Sequence, residues 1–142
     1  MNDRSRSLHL DQLGPILDVP DMTFISLQTG DARSQLKERG EDSRPRIIDA
    51  SGELADFVDT GALLLNLDLL ISVDTAPVHL AGALARPVWT LLSFCPDWRW
   101  LADRMDTPWY PTMRLFRQSE PGEWGPVVDR IATDLRIEMT RR

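Results

Sequence analysis

A chain of 142 residues can bury one sizeable core but hardly two, so a single domain over residues 1–142 is expected. Its hydrophobic fraction of 42% and charged fraction of 27% are those of an ordinary globular protein. The net charge of −6, with 16 scattered basic residues, argues against a general nucleic-acid binder but leaves room for a small anion held at a helix N-terminus.

The first residues, Met1-Asn2-Asp3-Arg4-Ser5-Arg6, are polar and precede no long apolar run, unlike a signal peptide. Leu8 to Leu17 repeats leucine and isoleucine at helical spacing, with Ser7 as its N-cap. Met22 to Gln28 reads as a strand buried on both faces, apolar without strict alternation. Asp31 to Arg39 is a polar helix ended near Gly40, and Glu41 to Arg44 is irregular. Arg46 to Asp49 is a weaker strand. Asp59 to Leu67 is a leucine-rich helix capped by Asp59 or Thr60. Asp68 to Val73 is a second buried strand, Val78 to Ala85 a short helix of small residues, and Pro87 to Leu92 a third buried strand.

Ser93 to Pro111 is too long for a simple connection. It contains Trp98, Trp100, Trp109 and Tyr110, so an ordered, folded-over loop is expected. Its tryptophans can stack on a nucleobase or sugar, or supply the loop with a small core of its own, and the second use is the commoner. Cys95, between Phe94 and Pro96, reads as a buried packing residue. As the one cysteine it permits no internal disulfide, which fits a reducing compartment; a cytoplasmic location is expected. Met113 to Arg117 is a weaker strand, and Trp124 to Met139 a terminal helix with a stripe of Val127, Val128, Ile131 and Leu135. Apolar runs such as Ala62 to Leu65 are far too short to span a bilayer. Alternation of strand and helix predicts an α/β domain with a mostly parallel sheet flanked by helices.

The segment Leu69 to Ala85 is a strand, a turn and a helix, the place where open parallel sheets bind ligands. Asp74 or Thr75 can cap that helix, and Pro77 suits its first turn because it has no N–H to leave unpaired. Free backbone N–H groups and the helix dipole favour a phosphate there, and Thr75 and His79, four apart, can share one face. Taken alone, an Asp-Thr pair before a helix is more often just a cap. Packing alone accounts for Ala81, Gly82, Ala83 and Ala85, whose small side chains let the helix lie close to the sheet.

The run from Leu67 to Val88, with its core Ser72-Val73-Asp74-Thr75-Ala76-Pro77-Val78-His79-Leu80-Ala81, resembles the signature of the heptosyltransferase-like glycosyltransferases of family nine. It is similar in particular to the version at the C-terminus of bacterial tetratricopeptide-repeat proteins. That version has counterparts of Arg4-Ser5-Arg6-Ser7, Phe24-Ile25-Ser26-Leu27-Gln28, Pro96-Asp97-Trp98-Arg99-Trp100-Leu101 and Trp109 to Gln118. The resemblance implies the donor-binding C-terminal half of a GT-B glycosyltransferase, Rossmann-like, with Asp74, Thr75, Ala76 and His79 lining the diphosphate and sugar of a nucleotide-sugar donor. Ala76 stands where many relatives have glycine, and its methyl narrows the closest approach of a phosphate oxygen. Gln28, Thr29 and Gly30 are second-tier candidates for the donor pocket. Arg4 or Arg6 corresponds to a basic residue that relatives place after their first strand, and Arg99 can grip a diphosphate bidentately.

The strand that relatives carry before Asn2 has no counterpart here, nor has the acceptor-binding domain that usually supplies the general base. The expectation is therefore a donor-binding domain that is inactive alone and needs an acceptor domain, with no cofactor, metal, nucleic acid or membrane span. The alternative is a non-catalytic nucleotide-binding module that self-associates through an exposed sheet edge.

Overall fold

The computed structural model describes residues 6–40, 43, 45–102 and 104–141. Among the described residues the five strands are short and parallel-paired: β1 (Phe24–Ser26), β2 (Ile47–Asp49), β3 (Leu70–Val73), β4 (Val88–Leu92) and β5 (Met113–Arg117). The α-helices are α1 (Gly14–Leu17), α2 (Ser34–Glu38), α3 (Phe57–Leu65), α4 (Ala76–Ala83) and α5 (Gly125–Thr140). The arrangement is α/β and Rossmann-like, with parallel sheets flanked by helices. By its contacts the chain divides into two compact units, one of Met1–Ser7 with Asp56–Val127 and one of Leu8–Ala55 with Val128–Arg142.

The first unit is built on the sheet β3-β4-β5. Register pairs Leu70 with Val88 and Val88 with Met113, and β4 in the middle is buried at all five residues. A strand whose two faces are both covered is apolar nearly throughout, which is why Val88-Trp89-Thr90-Leu91-Leu92 shows no alternation, with Thr90 its one buried polar residue. The outer edge of β5 is covered by the chain itself: Leu115 N–H donates to Met105 O at 2.8 Å. Arg117 Nη2 reaches the carbonyls of Leu101 at 2.8 Å and Trp100 at 3.3 Å, so the long segment after β4 folds back over this edge. On one face Arg114 lies over the rings of Trp89 and Phe116, 5.1 and 5.2 Å from their centroids, and its stem screens both from water.

Helix α3 begins earlier than the sequence pattern indicates. Its cap is Asp56, not Asp59 or Thr60, with Asp56 Oδ1 accepting from the N–H groups of Val58 at 2.7 Å and Asp59 at 3.1 Å. Phe57 and Val58 are exposed, so the apolar stripe starts later than the helix does.

The second unit holds the parallel pair β1-β2, in register from Phe24–Ile47 to Ser26–Asp49. Its first helical stretch is a 3-10 turn, Leu10–Leu13, running into α1. His9 caps it rather than Ser7, with Gln12 Oε1 accepting from His9 N–H at 2.8 Å in a reciprocal box. Gly30 opens the next turn at a φ of 72° and Gly40 closes α2 at 82°, positions where a side chain would strain the backbone.

At the end of β2, Asp49 accepts from Ser51 Oγ and N–H and from Arg33 Nε at 2.7 Å. The Ser51 hydroxyl, then Arg33, hold its carboxyl down from 3.8 to about 2. Because the folded value lies below the ordinary one, this group stabilises the fold above pH 3.8 and ceases to do so as pH falls through about 2. A carbon-detected NMR titration should find the Asp49 midpoint near that value, and Ser51→Ala should raise it; an unmoved midpoint would discount the hydroxyl.

Candidate functional site

The turn after β3 and the first half of α4 are held by side chains far away in sequence. Trp100 Nε1–H donates to Asp74 Oδ2 at 2.8 Å. Asp74 Oδ1 lies 3.3 Å from His79 Nε2, and the other ring nitrogen, Nδ1, hydrogen-bonds the Tyr110 hydroxyl at 3.1 Å. The His79 ring stacks on Trp100 at 5.3 Å between centroids and 22° between planes, while Tyr110 meets it edge-on at 5.7 Å. Trp100 is only 1% exposed, so its indole N–H needs an internal acceptor, and Asp74 is that acceptor.

Tyr110 reaches His79 because α4 carries no side chain at Gly82, one turn on. A Cβ there would lie 2.5 Å from Tyr110 Cγ. Gly82 thus makes room for the tyrosine ring, a more specific role than general closeness to the sheet. Val78 and Ala81 are fully buried on the helix's inner side.

Thr75 occupies the N-cap position of α4, but its side chain does not cap. Its hydroxyl donates to Val73 O at 3.2 Å and lies 3.3 Å from Ser72 Oγ. The first turn of α4 therefore has no side-chain cap from Thr75; Pro77 has no N–H and Val78 N–H donates to Thr75 O at 3.1 Å, so the Ala76 N–H is the donor left at the positive end of the helix. Arg6 joins it from 68 residues away, Nη1 donating to the Asp74 carbonyl at 3.0 Å. Of the sequence candidates, Asp74, Thr75, Ala76, His79 and Arg6 are brought together here; Arg4 lies outside the described residues.

Arg99 sits on the one-turn 3-10 helix Trp98–Trp100, capped by Asp97. Asp97 Oδ1 accepts from Arg99 N–H at 3.0 Å and Arg99 Nε at 2.8 Å. The backbone N–H of Arg99, then its guanidinium, hold the Asp97 carboxyl below its ordinary value, and His79 is near enough to add to the effect. Gln28, Thr29 and Gly30 belong to the second unit. There Gln28 N–H donates to Ser26 Oγ at 3.2 Å, and Gly30 lines a cavity of 410 Å³ with Asp31, Arg33, Ser34 and Lys37.

Two expectations change. Cys95 is exposed, not buried, because the loop core forms around Trp100 and leaves residues 94 and 95 outside. The tryptophans divide: Trp100 is core, whereas Trp98 is 74% and Trp109 56% exposed. Trp100 and Tyr110 were not among the candidate site residues, although a buried tryptophan near an acidic turn is itself a signal that its N–H seeks the carboxylate. Among the described residues no group of three or more His, Cys, Asp and Glu side chains could hold a metal, and no helix is long and apolar enough to cross a membrane.

Residues 51–100 match the model of glycosyltransferase family 9 (heptosyltransferase), a span that contains β3, α4, β4 and the turn between Ser72 and His79. The chain is also 35% identical over 124 residues to Protein FlbA of Caulobacter vibrioides (strain ATCC 19089 / CIP 103742 / CB 15). That alignment covers 86% of this chain and 20% of FlbA, so the chain spans one fifth of that relative's length. No solved structure matches the chain significantly.

Proposed function

We propose that the chain binds the diphosphate of a nucleotide-sugar donor at the turn from Ser72 to His79, as the donor half of a family-nine glycosyltransferase whose acceptor domain is supplied elsewhere. The observation that carries this reading is the placement of Arg6 on the Asp74 carbonyl at 3.0 Å, beside an α4 N-terminus that no side chain caps. A guanidinium and an uncapped helix N-terminus presenting the Ala76 N–H at the carboxyl end of a parallel strand suit a diphosphate. The family match over residues 51–100 supports the same reading.

The geometry divides the labour. Asp74 is occupied by Trp100 and His79, so it shapes the turn rather than meeting the anion. His79 faces Asp74 and Tyr110 with its two nitrogens and braces α4 from the side. The ligand contacts fall to the Ala76 N–H and Arg6, since the Thr75 hydroxyl is spent on Val73 O. In transfer, the acceptor hydroxyl would attack the anomeric carbon while these donors stabilise the departing nucleoside diphosphate. The compartment we assign is the cytoplasm.

Calorimetric titration with nucleoside diphosphates and their sugars tests this. The chain should bind at least one of them, and Arg6→Ala should weaken that binding by roughly 10- to 100-fold, the worth of a charge-assisted hydrogen bond. Absence of heat with every diphosphate, or full affinity in Arg6→Ala, would remove the reading.

A further inference from the structure

The segment after β4 carries an exposed indole, Trp98, next in sequence to a part-exposed guanidinium, Arg99. Trp98 is 74% exposed, and its Nε1–H makes no hydrogen bond among the described residues. Trp109, also exposed, is pinned differently, with Nε1–H donating to Arg99 O at 3.0 Å. Arg99 is fixed through Nε on Asp97, while its two η nitrogens are unengaged among the described residues. A guanidinium held by its ε edge with the η fork outward is arranged for a second, bidentate partner.

This pair is continuous with the turn after β3. The residue following Arg99 is Trp100, which donates to Asp74 and stacks on His79. Arg117 clamps the same 3-10 turn from β5 through the carbonyls of Trp100 and Leu101, so Trp98 and Arg99 stand on a fixed platform. With His79 turned to Asp74 and Tyr110, the turn leaves part of a diphosphate's charge unmet, and Arg99, next in sequence to the Trp100 that bonds Asp74, has η donors to spare.

We infer that Trp98 and Arg99 form the second half of the donor subsite, Arg99 taking phosphate oxygens through its η nitrogens and Trp98 stacking on the nucleobase. The inference rests on the donor-binding reading and names the residues that would give it nucleotide, rather than merely phosphate, recognition. An exposed indole presents a large flat face that base stacking uses without regard to sequence. Trp109 supports the backbone beneath Arg99 and takes no part in stacking.

Calorimetry with the 142-residue chain separates the possibilities, using as probes a nucleoside diphosphate that the wild type binds, its sugar-bearing form and inorganic pyrophosphate. Trp98→Ala should weaken the nucleoside diphosphate by about 10-fold or more and leave pyrophosphate unchanged, the signature of a lost base stack. Trp98→Phe should recover most of the affinity, because a stacking face is restored. Arg99→Gln should weaken both probes, and circular dichroism should show all three variants folded. Equal affinity in Trp98→Ala and wild type, or equal loss for the two probes, would overturn the base assignment while leaving the donor reading standing. A loss seen only with the sugar-bearing donor would move Trp98 to the sugar and overturn it too. A wild-type chain that binds no diphosphate at all would remove the donor reading itself, and this inference with it.

Discussion

Replacing Trp100 by alanine should lower the unfolding free energy by about 3–5 kcal/mol, the range for deleting a large buried aromatic. The side chain is 1% exposed, and three separate structures converge on it. Its N–H satisfies Asp74, its ring face supports His79, and its backbone carbonyl is held by Arg117. Alanine leaves a cavity under the imidazole and a carboxylate without its donor. Phenylalanine separates the two effects: it fills most of the space but supplies no N–H, so the cost should shrink to about 1–3 kcal/mol. Asp74 is partly open to water, which can replace the lost donor in part, and this places Trp100→Phe at the lower end of that range. Urea unfolding of both variants is the measurement. If alanine and phenylalanine cost the same, the hydrogen bond outweighs the packing; if alanine costs under 1 kcal/mol, the turn does not depend on this indole.

Strand β4 was legible because burial on both faces leaves an apolar run; β1, expected to be buried on both faces, is part-exposed throughout, and β5 alternates buried residues with two arginines. Val88 to Leu92 and Met113 to Arg117 stand within a residue of where their patterns put them, and β1 and β3 are the cores of the predicted segments. Helix starts were less so. A cap is a single side chain accepting from N–H groups two and three residues on, and polar residues at 56, 59 and 60 compete for that role. Asp56 wins although it precedes two exposed apolar residues, which the periodicity of the helix face cannot anticipate.

At the site, Asp74, Thr75 and His79 were legible as a cluster because they share one turn. What each does was not. The acceptor side of Asp74 is filled by a residue 26 positions away and His79 meets one 31 positions away, distances over which no local spacing rule operates. Thr75 looks like a cap in sequence and turns its hydroxyl back to the strand in three dimensions, because Val73 O and Ser72 Oγ are closer competitors. The effect is to leave the helix terminus unfilled. The donor reading depends on that open terminus, and neither the residue type nor the spacing encodes it.

Gly82→Ala gives the sharpest test of how the side chains around His79 are packed. In an exposed helix the change would stabilise by about 1 kcal/mol, since alanine loses less backbone entropy and shields the helix better. Here the new methyl would lie 2.5 Å from Tyr110 Cγ, 2.6 Å from Cδ1 and 3.0 Å from Cβ. These atoms are at the root of a rigid ring, so the tyrosine cannot evade by bending its far end. It must swing out, and its hydroxyl then leaves His79 Nδ1. The expected result is a net destabilisation of about 1–3 kcal/mol, opposite in sign to the helix propensity. Tyr110→Ala removes Cγ and Cδ1 and leaves only the 3.0 Å approach to Cβ, so adding Gly82→Ala in that background should recover part of the ordinary gain. The two changes are therefore strongly coupled, and a double-mutant cycle by urea unfolding reads the coupling directly. Additive effects would mean that α4 and Tyr110 yield to each other freely, and that Gly82 is small for some reason other than the ring against it.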